Sequence, residues 1–529
     1  MTGFSKDKSR RRVKRTIQEM PKFKTAASLG YAQRLVLSEG RLRASFADSV
    51  LAKAFEIDGN SVEGFSCVHA YVDLPKLPEV MSALGGDTED GHTKSLQLVS
   101  SLYAGCDRLT DNTDVARVDY HIGRVHIVRA RPLNDPCTSK DVAEVASLCK
   151  SIGALGVQLI IDFTGITRFG VYRAGIDTGP CAAWDDGDRD GNEVVFVGSP
   201  ANHAAKLASG DKGGIYLTSA AIRLLSGREE PEAPGYTRGI AAYSFSDQLN
   251  DVREDLRKSY ETFVADERYS SGLAQARLAL NEENSVKDFK FSKICLPLSD
   301  LKFANLSPSH SKRSPMTVLF ADVAGFTAFV DSCIQKGDFV TPVKYLYVLR
   351  QELRDCLTED FNAKKVRFIG DCIQAGLAEG ESYSVDGRAT AEQTAFAAHA
   401  LHQAVEICCE ELGSDVNLEI SVGAEFARTA FTRTGLRGDR AVKVASGSAC
   451  YVSEECQTEC PAGELRMGPA LQRLVPAGLQ DLYIEDGRIG IVSKSDIERA
   501  VAKGIKRPAV VTSSLSSASY APRAEAKFL

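Results

Sequence analysis

Short apolar runs at strand spacing alternate with longer stretches whose apolar residues recur at three- and four-residue steps, and the alternation occurs twice in the same order. The runs "GRVHIVRARP" (123–132) and "KKVRFIGDCI" (364–373) both read as short strands. A helix follows each: Val142, Val145, Leu148 and Ile152 mark its apolar face in the first, and Ala397, Leu401, Val405, Cys408 and Leu412 in the second. Then "RFGVYRAGIDTGPCAAW" (168–184) lies over "VNLEISVGAEFARTAF" (416–431), and "VFVGSPANHAAKLASG" (195–210) over "GLRGDRAVKVASGSA" (435–449). Upstream, the stretch 67–81 lies over 317–331 with a one-residue slip that sets Asp73 against Asp322. Landmarks repeated in one order predict a duplication. Each copy runs strand, helices, strand pair, helix, strand pair, which predicts an α+β fold with helices on an antiparallel or mixed sheet.

The pattern divides the chain into a basic N-terminal tail (1–40), a first domain (41–247), a linker (248–314), a second domain (315–500) and a polar C-terminal tail (501–529). "SKDKSRRRVKR" near the start reads as a solvated segment, and "SSLSSASYAPRAEA" near the end as unordered. In the linker, "DVREDLRKSY" is a polar helix candidate and "SPSHSKRSP" a loop. A net charge of -6 over 529 residues gives no global attraction to nucleic acid or an anionic membrane, and neither partner is expected. No apolar run reaches the ~18 residues of a membrane span. Fourteen cysteines lie scattered, "CYVSEECQTEC" has no CxxC spacing, and the reading is reduced thiols in a cytoplasmic protein. His121, His203, His399 and His402 form no zinc motif, and neither a Walker loop nor GxGxxG occurs.

Candidate chemistry concentrates in "MTVLFADVAGFTAFVD" (316–331). An aspartate closing a buried strand and followed by small residues suits a metal or phosphate site, or a simple strand-end turn cap. "FADVAGFT", followed 49 positions after Asp322 by the Asp371 of "VRFIGD", resembles the catalytic domain of class III nucleotide cyclases; "GIDTGP" with "VGSPANHAAKLA" resembles its distal half. The resemblance covers about 180 residues in each copy and implies two tandem cyclase-like domains paired as a pseudo-heterodimer.

The resemblance implies that Asp322 and Asp371, with the carbonyl of Val323, hold two Mn²⁺ or Mg²⁺ ions, while the main-chain N–H groups of Ala324, Gly325, Phe326 and Thr327 meet the triphosphate. Asn202 and Lys206 take the places of the Asn and Arg that orient the ribose and neutralise charge on the α-phosphate. Each copy lacks the other's set: Asp73 is joined by Ala130, and the distal pair is replaced by Val442 and Ser446. The two halves therefore predict one complete site and one degenerate cleft, so that a monomer is catalytically complete. Base readers fall at His126 and Val195, neither a purine code; Arg367 would face the degenerate cleft. That pattern resembles bacterial pyrimidine cyclases of antiphage signalling, whose cyclic nucleotide goes to a separate effector, with UTP favoured over CTP. Tyr345 and Tyr347 read as base-stacking candidates or a packing face, and Glu425 as a solvated or structural carboxylate. Rival readings are a purine cyclase with unusual readers and a non-catalytic nucleotide sensor.

Overall fold

The computed structural model describes residues 3–25, 61–111, 113–185, 194–226, 243–244, 266–281, 289–413, 416–435, 441–485, 487–490 and 494–504. Helix α1 is Lys6–Glu19. The first half contributes strands β1 (Ser61–Asp73), β2 (Ala116–His121), β3 (Arg124–Pro132), β4 (Arg173–Asp185), β5 (Val194–Val197) and β6 (Gly214–Leu217). Its principal helices are α2 (Glu89–Thr110), α3 (Ser139–Thr164) and α4 (Ser199–Ala208), and α5 (Asp266–Asn281) follows. The second half has strands β7 (Ser311–Ala324), β8 (Lys364–Ile369), β9 (Cys372–Leu377), β10 (Glu419–Gly435), β11 (Ala441–Ser446) and β12 (Leu465–Met467), with helices α6 (Phe326–Gln335), α7 (Val340–Asp355), α8 (Gly387–Leu412) and α9 (Ser448–Thr458).

Two sheets with one strand order result. The first runs β2-β3-β1-β4-β6 and the second β8-β9-β7-β10-β12, with β5 on β4 and β11 on β10. Strand alternation decides which side chains face the helices: Val68, Ala70 and Val72 on β1 join the core beneath α2 and α3, while Cys67, His69 and Tyr71 take the opposite face. The halves share apolar packing, because Met316, Val318 and Phe320 of β7 belong to the same buried cluster as Leu148, Ile152 and Ile176.

Three expectations change here. The basic N-terminus is no solvated tail where it is described: Ser5 caps α1, and Arg12 on that helix is buried between two carboxylates. Its Nε and Nη2 donate to Glu352 at 3.0 and 2.6 Å, and Nη2 also to Asp360 at 2.9 Å. Fixed opposite charges outweigh the solvation that the neighbouring basic residues would otherwise favour. Arg12→Ala leaves Glu352 buried without its cation and Asp360 with Lys8 alone, and is expected to cost about 3–5 kcal/mol of unfolding free energy, measured by denaturant titration.

The linker is likewise no mere spacer. Helix α5 crosses α2 at small residues, Gly272 against Gly105, and Phe289, Ile294, Leu298, Phe303 and Leu306 are buried in the shared core. "SPSHSKRSP" is a loop only to His310, since Ser311 opens β7. "DVREDLRKSY", residues 26–60 and 505–529 lie outside the described residues. Helix α3 does have the length and apolarity of a membrane span, which the interspersed Gly, Ser and Ala conceal in a scan for unbroken apolar runs. It is a core helix, with Val142, Val145, Leu148, Leu155 and Leu159 buried against the first sheet.

Candidate active site

Strand β7 pairs with β10 from Lys312 to Ala324 but with β9 only as far as Ala321↔Ile373. Beyond that point the edge of Asp322 and Val323 facing β9 has no strand partner, which leaves polar main-chain groups free for a ligand. The β8–β9 hairpin turns through Gly370 (φ 61°) and Asp371, and Arg350 of α7 clamps it by donating to the Gly370 carbonyl at 3.1 and 2.6 Å. Two carboxylates thus converge from neighbouring strands. Burial pushes the Asp322 carboxyl above its ordinary range, against the opposing charge of Lys206. Asp371 is driven well above it, by burial first and by the charge of Asp322 second. A buried carboxylate pair with so little counter-charge is a fit for divalent cations.

Gly325, at φ 88°, makes the turn from β7 into α6 and is that helix's N-cap. The Phe326 side chain goes into the core, so only its main chain can face a phosphate. Thr327 meets the other half of the molecule: Asn202 Nδ2 on α4 donates to Thr327 Oγ1 at 2.8 Å, and Ser199 bonds Asp331 of α6. Helix α4 lies close on the first sheet, where a Cβ at Gly175 would meet the Ala204 carbonyl at 2.2 Å. His203 Nδ1 bonds Asp177 Oδ2 of β4 at 2.9 Å. So seated, α4 directs Lys206 close enough for its charge to act on both Asp322 and Asp371. The residues read from the two halves of the sequence therefore come together: Asp322, Asp371, Asn202, Lys206 and the 324–327 turn.

No family profile matches the chain. A uridylate cyclase of a Rhizobium species is 32% identical over 473 residues, spanning 88% of both chains. The chain belongs to the uridylate cyclase family. A uridylate cyclase of Pseudomonas aeruginosa is 29% identical over 465 residues, covering 85% of this chain and 84% of that one. Among solved structures, a class III adenylyl cyclase-like ATP-binding protein from Pseudomonas aeruginosa superposes with a TM-score of 0.76 at 25% identity, over 94% of this chain and 99% of that one. The protein is a nucleotide cyclase with a class III cyclase-like fold, and class III cyclases use two divalent metal ions.

The strand registers of the cyclase's two halves correspond differently from the alignment expected of the sequence. Hairpin β2–β3 turns between His121 and Arg124 as β8–β9 turns between Ile369 and Cys372, so β3 corresponds to β9, not to β8. Gly123, rather than Ala130, then stands at the position of Asp371, and Asp119, rather than His126, at the position of Arg367. Both strands carry the same bulge, just before Asp119 and Arg367. His126 is instead buried, stacked on Tyr71 at 4.1 Å and hydrogen-bonded to His69. Val195 is buried on β5 opposite Trp184. Helices α4 and α9 start from Gly198 and Gly447, which matches Asn202 with Tyr451 and Lys206 with Glu455, in place of Val442 and Ser446. Each corrected position still lacks the functional residue.

The degenerate cleft is filled by side chains that sequence reasoning missed. Asp73 is paired with Arg124 at 3.1 Å, Arg124 with Glu454 at 3.7 Å, and Glu454 with His121 Nε2 at 3.1 Å. Arg367 donates to the carbonyls of Tyr120 and Lys443 and faces Asp119 at 3.4 Å. Burial alone would raise Glu454, but His121 and Arg124 bring it down to about 2. A carboxyl depressed below its unfolded value of about 4.3 contributes stability that is complete above that value and lost as pH falls through the folded one. Acid unfolding should therefore steepen between about pH 4 and pH 2, and Glu454→Gln should flatten that limb in a pH-jump circular dichroism series.

Tyr347 packs edge-on against Phe23 and Trp184, and Tyr345 against Phe329, so both serve packing. Glu425 is buried and accepts from the N–H groups of Phe426, Ala470 and Leu471, a structural carboxylate.

Proposed function

We propose that this cyclase converts UTP to 3′,5′-cyclic UMP and pyrophosphate at one site built across its two halves. The observation that carries the reading is complementarity: the carboxylate pair exists only in the second half, the Asn202/Lys206 pair only in the first, and the fold seats them against each other. Mn²⁺ or Mg²⁺ ions on Asp322, Asp371 and the Val323 carbonyl would lower the pKa of the ribose 3′ hydroxyl and neutralise the phosphates. The chain supplies the rest. Main-chain N–H groups of residues 324–327 at the start of α6 receive the triphosphate. Asn202 orients the ribose, and Lys206 meets the charge that builds on the α-phosphate as the 3′ oxygen bonds to phosphorus and pyrophosphate leaves. Lys206 does this as a point charge, without the planar fork of an arginine.

Asp119 stands at the reader position, and although it faces Arg367 at 3.4 Å, its carboxylate keeps lone pairs that can accept the N3–H of uracil. Incubating the purified chain with UTP, CTP, ATP and GTP in Mn²⁺, with products resolved by mass spectrometry, should give cyclic UMP as the main product. Asp119→Ala should lower the UTP preference on the order of ten-fold or more, because the N3–H of the base then loses its acceptor. A cyclic purine as main product would overturn the base assignment, and nucleotide binding without turnover would favour a sensor. The product is a second messenger for a separate effector in this reading, and antiphage signalling is the setting that the resemblance to pyrimidine cyclases suggests.

A further inference from the structure

Cys67 and His69 stand two residues apart on β1 and so share a face, and Cys181 stands on neighbouring β4. The register pairs Phe65 with Cys181 and Cys67 with Gly179, which places the two cysteines diagonally across the ladder. All three side chains are fully buried, and their ligating atoms lie within 4.8 Å of one another. Cys181 Sγ is 3.5 Å from His69 Nε2. A tetrahedral centre with metal–sulfur and metal–nitrogen bonds of about 2.3 and 2.0 Å has an S···N edge of about 3.5 Å.

The surroundings fit a metal as well. His69 Nδ1 is 2.9 Å from His126 Nε2, a partner that fixes the imidazole with its other nitrogen toward the sulfurs, as outer ligands do in metal centres. Phe65, Val128, Ala183 and Phe196 wall the cluster with apolar surface. The Cys137 sulfur is directed elsewhere, to the carbonyls of Ser66 and Arg129. None of these groups takes part in cyclisation.

We propose that Cys67, His69 and Cys181 bind a thiophilic d¹⁰ cation, Zn²⁺ or Cu⁺, as a second metal centre distinct from the aspartate pair. Two thiolates and an imidazole are the donors such ions select, and binding releases the two thiol protons to solvent. With Zn²⁺ the buried site is neutral. The ion staples β1 to β4 directly beneath the start of α4: a Cβ at Gly198, the N-cap of that helix, would lie 2.8 Å from Cys181 Sγ. The centre thereby supports the helix that carries Asn202 and Lys206.

The test is elemental analysis of the full chain, purified without a polyhistidine tag under reducing conditions, with titration of the metal-free chain by Zn²⁺ and separately by Cu⁺. About one equivalent of one of these ions per chain is expected in the wild type and in Cys137→Ser, falling at least ten-fold in Cys181→Ser. The same chain, alkylated before and after chelation and mapped by mass spectrometry, should show Cys67 and Cys181 protected only while the ion is bound; this arm needs no variant. A wild type that takes up neither ion at micromolar concentration, a Cys181→Ser chain that keeps its equivalent, or a Cys67–Cys181 disulfide in the native chain would each overturn the proposal.

Discussion

Asp371→Ala should reduce cyclic nucleotide formation by at least about 10³-fold without unfolding the protein. The carboxylate sits buried beside Asp322, and both are held above the ordinary carboxylate range. Without divalent cations the native pair is therefore a source of strain, so the variant should unfold at the same temperature as the wild type or higher. With Mn²⁺ the order should reverse, because an ion that binds only the folded state stabilises the wild type by mass action. Thermal denaturation of both chains with and without Mn²⁺, beside a turnover assay, separates this from a simple folding defect. A variant that loses activity and also melts far below the wild type without metal would assign Asp371 a structural role.

Lys206→Ala should lose about 10²–10³-fold in kcat with a smaller change in KM, since its charge matters most as the α-phosphate becomes more negative. Lys206→Arg should retain far more activity, or exceed the wild type, because the guanidinium supplies two parallel donors. Lys206 lies in the opposite half of the chain from both aspartates, so a loss in kcat ties that half to the chemistry. Steady-state kinetics on the three chains decides it. A kcat left unchanged in Lys206→Ala would remove the first half from the chemistry.

Much of this architecture was legible in the sequence because strand and helix periods repeat whatever the tertiary context. Asp322 and Asp371 were legible because a strand-end carboxylate and a hairpin carboxylate each keep a local signature of small residues and glycine. The α4 pair survived for the same reason, in "GSPANHAAKLA". What failed was register. Strands β2 and β3 are both short and apolar, and nothing local tells which of them matches "VRFIGD"; only the turn at Ile122–Gly123 and the bulge beside Asp119 settle it. The basic N-terminus misled because its partners, Glu352 and Asp360, lie more than 300 residues away. The Cys67, His69 and Cys181 cluster was invisible for the same reason, its residues being split between β1 and β4. The filled cleft around Asp73 was half legible: the missing second carboxylate could be read, but the Arg124 and His121 that pair with Asp73 and Glu454 could not.

In the proposed mechanism one chain builds one complete site from its own two halves. The most direct measurement mixes the two inactive chains, Asp371→Ala and Lys206→Ala, in equal amounts and assays cyclic nucleotide formation over a range of concentrations. Sites formed within each chain are all damaged in such a mixture, so activity should stay at the level of the separate variants at every concentration. Recovery of a substantial share of wild-type activity, rising with concentration, would mean that the intact aspartates of one chain meet the intact Lys206 of another, and the site would belong to a dimer.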